Sequence, residues 1–109
     1  QVLLWNYHDV ANDFATETTV ALSLSHLFEP GETVAATITR IDENNANAYT
    51  LWRAMGEPQT PSAEQINALH AASELNSKPF SLAPHQDGDW HAELKLPKQS
   101  IALIEIRKN

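Results

Sequence analysis

The sequence predicts a mostly β fold: a small antiparallel β-sandwich with a short two-helix insertion in its middle connection. Three observations predict it. Apolar and polar residues alternate with period two in several short runs, as in strands with one buried face. The spacing becomes helical over about residues 47–75, and turn signals separate the runs. Three strands, two helices and three more strands fit one domain over residues 1–109.

The first half of the chain contains three predicted strands. Residues 2–7 are aliphatic and aromatic, which favours a strand, and residues 8–18 form a polar loop. Alternating patterns at residues 20–24 and 34–38 predict the second and third strands. Because the sequence EPGE at residues 29–32 is a turn signal, we expect these two strands to form an antiparallel pair.

The helical insertion carries start and stop signals for two helices. Asn47 can cap the first helix, and Gly56 followed by Pro58 can end it. Ser62 and Gln65 fit a capping box at the start of the second helix, which should fade near residue 75. Both helices are too short to be stable alone, so they must pack on the sandwich or on another domain.

The strand period returns in the last third of the chain. Residues 80–82 and 90–96 alternate, and Asp87-Gly88 between them is a strong hairpin signal. Residues 101–106 are apolar on both faces except for Glu105, which is typical of a central strand covered on both sides. We interpret Glu105 as an edge or interface carboxylate paired with an arginine or lysine.

Composition excludes several classes of function. The net charge of −7 repels phosphate backbones and anionic lipid, so neither nucleic acid nor a membrane is an expected partner. There is no cysteine and no apolar run of membrane-spanning length. The chain enters a strand almost at once and has no initiator methionine, so we expect it to be a piece of a longer protein. The sequence does not indicate the cellular compartment of that protein.

No side-chain pattern predicts catalysis or a cofactor. The acidic residues lie mostly in loops and on solvent faces, where a glycosidase-like pair is not expected. Ser23 and Ser25 lack a nucleophile elbow, and three glycines provide no phosphate loop. The sequence therefore predicts no catalytic and no cofactor-binding residue.

The histidines are the remaining metal-ligand candidates. Ligand types alternate around Gly88, but a hairpin tip should spread them apart, so we predict no metal site there. The other histidines are weaker candidates still. The residues around Gly88 are His85, Asp87, Asp89 and His91, and the weaker candidates are His8 with Asp9, His26 and His70.

The tryptophans differ in their expected roles. Trp5 and Trp90 lie on strand patterns and are interpreted as core residues. Trp52 lies on the helical insertion beside Arg53 and is the best candidate for an interface, although exposed aromatic residues can also stack on sugars.

Several segments resemble the C-terminal region of glycoside hydrolase family 39, which includes β-xylosidases and α-L-iduronidase relatives. The resemblance covers nearly the whole chain in order. Its most specific part is the helical insertion. The family often has His-Ser at Asn45-Ala46, Ser at Glu57 and Pro at Ala63. The matching segments are residues 2–8 (VLLWNYH), 40–52 (RIDENNANAYTLW), 55–59 (MGEPQ), 61–65 (PSAEQ), 96–97 (LP) and 100–105 (SIALIE).

The resemblance implies a retaining glycosidase whose (β/α)8 barrel carries both catalytic glutamates, one in an Asn-Glu-Pro motif. Gly56-Glu57-Pro58 is not that motif. The resemblance therefore implies a non-catalytic accessory domain, with the barrel of the same parent chain as its partner. The alternatives are an independent carbohydrate-binding module for xylo-oligosaccharides and a generic protein-interaction sandwich. The candidate interface residues are Asn47, Tyr49, Trp52, Arg53 and Met55.

Overall fold

The computed structural model describes residues 1–8, 17–29 and 31–109. Residues 9–16 of the predicted loop at 8–18, and Pro30 of the predicted turn, lie outside the described residues. The loop prediction is wrong for residues 17 and 18, which begin the second strand. The elements are β1 (Val2–Asn6), β2 (Glu17–Leu24), β3 (Val34–Ile41), α1 (Ala48–Ala54), α2 (Ala63–Ala72), β4 (Ser77–Phe80), β5 (Ala83–Pro84), β6 (Trp90–Pro97) and β7 (Ser100–Lys108).

The strands form two antiparallel sheets that enclose a small core, which confirms the predicted sandwich class. The first sheet has the order β1-β7-β3-β4, and the second has the order β2-β6-β5. Side chains from the facing sides of β3, β6 and β7 meet between the sheets. The core residues are Ile38, Leu94, Leu96, Ala102 and Ile104.

The predicted pairing of the second and third strands is wrong. β2 pairs with β6 along its whole length, from Glu17 opposite Pro97 to Leu24 opposite Trp90. β3 pairs instead with β7 and β4 in the other sheet. The turn signal between β2 and β3 therefore marks a crossing between sheets, as in Greek-key sandwiches, and local turn chemistry does not distinguish the two cases.

Strand β7 is central in its sheet, as predicted, but only one of its faces is covered. Ala102 and Ile104 are fully buried, whereas Ile101 on the opposite face is 43% exposed. The prediction that both faces of this strand are covered is therefore wrong within this chain, because only one face meets the core. Glu105 lies on this second face and accepts a hydrogen bond from Gln1 Nε2 at 2.8 Å, where an arginine or lysine was expected.

The helix caps form as the sequence predicts. Asn47 Oδ1 accepts the backbone N–H groups of Tyr49 and Thr50, and Ser62 and Gln65 form the reciprocal capping box. Gly56, at φ +88°, ends α1, and its N–H donates to the Arg53 carbonyl. Among the described residues, no helix is long and apolar enough to cross a membrane.

A buried aspartate organises the turn between β3 and α1. Asp42 Oδ1 accepts from the Asn44 backbone N–H at 2.9 Å and from Asn45 Nδ2 at 2.8 Å. The Asp42 carbonyl accepts from Asn47 Nδ2 at 3.1 Å, which links the turn to the α1 cap. The chain then passes through Ala46 at φ +53°, a left-handed conformation that L-residues other than glycine, asparagine and aspartate rarely adopt.

We expect Ala46→Gly to raise the free energy of unfolding by about 1 kcal/mol, because glycine removes the left-handed penalty at this position. Urea unfolding measures the change. Ala71→Gly is the matched control, since it lies in α2 and should lower the same quantity by about 1 kcal/mol. Destabilisation by Ala46→Gly would contradict the expectation.

Candidate functional site

The predicted interface residues lie on and around α1, and the structure brings most of them together. Tyr49 is 62% exposed, and its ring stacks on Trp52 with centroids 5.7 Å apart. Trp52 Nε1 donates to the Pro58 carbonyl at 3.0 Å, which fixes the indole against the inter-helix turn. The Arg53 guanidinium lies 6.0 Å from the centre of the Tyr49 ring.

The remaining residues of this group have different roles. Arg53 forms an exposed ion pair with Glu57 at 3.3 Å, and Met55 is half-buried at the helix end. Asn47 is a helix cap: its side chain accepts from two backbone N–H groups of α1 and donates to the Asp42 carbonyl. Tyr49 and Arg53 are therefore the exposed members of the predicted group, and the half-buried Trp52 lies beside them.

A second surface, which sequence reasoning missed, is the outer face of the first sheet. Trp5 of β1 lies opposite Ile101 of β7, and Ile101 lies opposite Ile41 of β3. Directly opposed residues point to the same side of a sheet, so the three side chains form one row. Leu3 lies two residues before Trp5 and shares this face. We call Leu3, Trp5, Ile41 and Ile101 the outer apolar face.

The outer apolar face is solvent-exposed in this chain. Trp5 is 68% exposed, so its interpretation as a core residue is wrong. Trp90 is half-buried, and its ring lies edge-on against Phe28 with centroids 6.4 Å apart. The signal for the outer face was present in the sequence: VLLW in β1 and IALI in β7 are apolar at consecutive positions, which strands with one wet face avoid.

The chain exposes more surface than a compact protein of its size. A compact monomer of 12.1 kDa exposes roughly 6,000 Å², whereas this chain exposes 7867 Å². Its radius of gyration is 17.7 Å, against roughly 13 Å for a compact domain of this length. Neither helix contains a buried residue, so the helical insertion contributes to this extended shape.

The tip of the β5–β6 hairpin holds a separate cluster of titratable side chains. The predicted turn at Asp87-Gly88 is confirmed: the His85 N–H donates to the Asp89 carbonyl at 2.8 Å, and Gly88 turns the chain at φ +85°. The predicted strand at residues 80–82 is wrong, because Phe80 ends β4 in the first sheet and the first arm of the hairpin is β5. The expectation that this tip separates the metal-ligand types is wrong. Asp87 Oδ2 lies 3.2 Å from His85 Nδ1 and 3.4 Å from His91 Nε2. We call His85, Asp87 and His91 the hairpin cluster.

Two further features define the hairpin cluster. The pKa of Asp87 lies below its ordinary value, mainly because the carboxylate accepts the Asp89 backbone N–H. Burial opposes this effect, and the neighbouring His85 and His91 lower the pKa further. Asp89 itself points away and accepts from Ser25 Oγ at 2.7 Å. Ser25 is therefore a structural contact, and Ser23 is an exposed residue of β2 opposite His91.

The other candidate histidines do not join a cluster with metal-ligand geometry within the described parts of the chain. His26 is exposed after β2 and adopts φ +58°, and His70 is exposed on α2. The His8 carbonyl accepts from Gln99 Nε2 at 2.6 Å, which joins the end of β1 to the β6–β7 turn. Asp9, its predicted neighbour in a metal pair, lies outside the described residues.

Comparison with known proteins agrees with the family resemblance of the sequence. The β-xylosidase of Caldicellulosiruptor saccharolyticus is 33% identical over 70 residues, which is 64% of this chain and 14% of that protein. The β-xylosidase of Geobacillus stearothermophilus is 30% identical over 71 residues, which is 62% of this chain and 13% of that protein. The chain thus matches only about one seventh of the length of these curated relatives.

The fold has a counterpart in a solved structure. The GH39 enzyme from Xanthomonas axonopodis pv. citri superposes with a TM-score of 0.67 at 12% identity. The alignment covers 96% of this chain and 23% of that enzyme, and at this identity it supports the fold alone. The sequence profile of the glycosyl hydrolases family 39 matches residues 1–88, most of the sequence. The chain therefore belongs to glycosyl hydrolases family 39.

Proposed function

We propose that this chain is a non-catalytic accessory domain of a retaining, β-xylosidase-like exo-glycosidase, which packs on a (β/α)8 catalytic barrel and stabilises it. The observation that carries the proposal is the outer apolar face. A central sheet strand with one face in the core and an apolar, exposed opposite face is typical of a surface that another domain covers. The curated relatives are about seven times longer than the matched region, which leaves room for such a barrel.

The helical insertion supports the same proposal. Its helices bury no residue, and Tyr49 and Ile66 remain exposed on them. Helices of this length need a packing partner to be stable. We infer that the barrel contacts both the outer apolar face and the exposed side of α1 around Tyr49, Trp52 and Arg53.

The test compares this chain with a longer polypeptide that carries the same domain and the proposed barrel. We expect the double variant Trp5→Thr/Ile101→Thr to change the stability of the 109-residue chain little, since both side chains are exposed there. In the longer polypeptide it should lower the stability of the sandwich by about 2 kcal/mol, because burial of both side chains is lost. Denaturant unfolding followed by domain-specific fluorescence measures both.

Leu27→Thr is the matched control, because Leu27 is exposed but lies outside the outer apolar face. It should have little effect in either polypeptide. Equal effects of the double variant in the two polypeptides would contradict docking through this face. The purified chain should also fail to hydrolyse an aryl xyloside; measurable, saturable hydrolysis would contradict the non-catalytic role.

A carbohydrate-binding module is the second candidate, because two aromatic residues near the end of β1 are exposed. Trp5 and Tyr7 are both more than two-thirds exposed, and exposed aromatic rings can stack on sugar faces. Titration with xylo-oligosaccharides, followed by tryptophan fluorescence, separates the two functions. Saturable binding that Trp5→Thr abolishes would favour the binding module, and no change at millimolar sugar would favour docking.

A further inference from the structure

The hairpin cluster combines two imidazoles and one carboxylate on a short, well-defined turn. His85 precedes the turn, Asp87 lies within it, and His91 follows on β6. The candidate ligand atoms of all three residues lie within 4.8 Å of one another. Neutral imidazole nitrogen and carboxylate oxygen are the ligand types that Zn²⁺ and similar first-row ions prefer.

The distances to Asp87 match those between ligands of one ion. In a tetrahedral site with bonds of about 2.0 Å, neighbouring ligand atoms lie roughly 3.3 Å apart. The two separations to Asp87 Oδ2 are 3.2 Å for His85 Nδ1 and 3.4 Å for His91 Nε2. The third separation, between the histidines, can close by rotation of the His85 ring, whose side chain is 59% exposed.

His91 Nε2 gives a second observation. This atom is screened from solvent, and its contact with Asp87 Oδ2, at 3.4 Å, is long for a hydrogen bond. A solvent-screened nitrogen with so weak a contact is poorly satisfied, and a metal bond would satisfy it better. The rings of His85 and His91 already lie close together, with centroids 4.6 Å apart.

We propose that His85, Asp87 and His91 bind a Zn²⁺-class divalent ion that clamps the β5–β6 hairpin. Such an ion would link His85, which directly follows β5, to His91 on β6. This link adds to a hairpin in which β5 is only two residues long. Three protein ligands leave a fourth position for water. This site is independent of the outer apolar face and of the proposed docking, so either proposal can fail without the other.

Isothermal titration of the tag-free chain with Zn²⁺ tests the site, with Mg²⁺ as the hard-ion comparison. We expect one saturable Zn²⁺ site with micromolar affinity, and no comparable binding of Mg²⁺, which prefers oxygen ligands. Thermal unfolding should shift upwards by roughly 5 °C when Zn²⁺ is present at about ten times Kd. The imidazole NMR signals of His85 and His91 should shift selectively.

Asp87→Asn is the sharpest variant, because Asp87 Oδ1 accepts the Asp89 backbone N–H at 2.8 Å and an asparagine retains that acceptor. The turn is kept while the anionic ligand is lost, so Zn²⁺ affinity should fall at least about tenfold. His91→Gln should do the same, with circular dichroism as the folding check, and His70→Gln on α2 should bind like the parent. The absence of saturable Zn²⁺ binding would overturn the proposal, and so would Zn²⁺ binding by Asp87→Asn and His91→Gln as tight as that of the parent chain.

Discussion

Replacing Ile104 with alanine is expected to lower the free energy of unfolding by about 3–4 kcal/mol. Ile104 is fully buried between the sheets, where it packs with Leu94 and Leu96 from the opposite sheet. The core has few buried residues and the whole domain is stabilised by roughly 5–15 kcal/mol, so this single truncation removes a large share of its stability. Urea unfolding should show a lower midpoint with an unchanged slope.

Ile101→Ala is the matched control for this prediction. It removes the same atoms from the same strand, three residues away, but on the outer apolar face. In the 109-residue chain it should cost less than about 1 kcal/mol, since part of the side chain is already in water. If Ile101→Ala destabilised this chain as much as Ile104→Ala, the assignment of inner and outer faces would be wrong.

Replacing Asp42 with alanine is expected to lower the free energy of unfolding by about 3 kcal/mol. The change leaves the Asn44 N–H and the Asn45 side chain without the carboxylate that now accepts from both. Hydrogen bonds to a buried carboxylate contribute more than neutral ones, and the half-buried Asn45 side chain loses its acceptor. Because the same turn holds Asn47, amide exchange in α1 should also accelerate.

Two variants separate this effect from general sensitivity of the turn. Asp42→Asn keeps an acceptor oxygen and should cost about 1 kcal/mol or less. Glu43→Ala alters an exposed neighbour and should change stability little. If Asp42→Ala were no more harmful than Glu43→Ala, the buried aspartate would not organise the turn.

The features that the sequence predicts well are local. The caps at Asn47 and Ser62 and the stop at Gly56 depend on residues within one helical turn, so a short stretch of sequence contains the whole interaction. The β5–β6 hairpin is local in the same sense, since Asp87-Gly88 determines the turn.

The features that it predicts poorly depend on distant residues. β2 pairs with β6 across more than sixty residues of sequence, and nothing near the 29–32 turn indicates that partner. Trp5 was misplaced because β1 is apolar at consecutive positions, so its period does not show which face meets the core. The hairpin cluster was missed because side-chain directions at a turn follow from its backbone angles, which sequence spacing does not give.

The outer apolar face also bears on the colloidal behaviour of the separated domain. An uncovered patch of this kind favours self-association, and the net charge of −7 opposes it through repulsion between copies. That repulsion is screened over about 10 Å at 0.1 M salt, whereas apolar contact is not weakened. Copies of the free domain should therefore stay dispersed in dilute buffer and cluster as ionic strength rises.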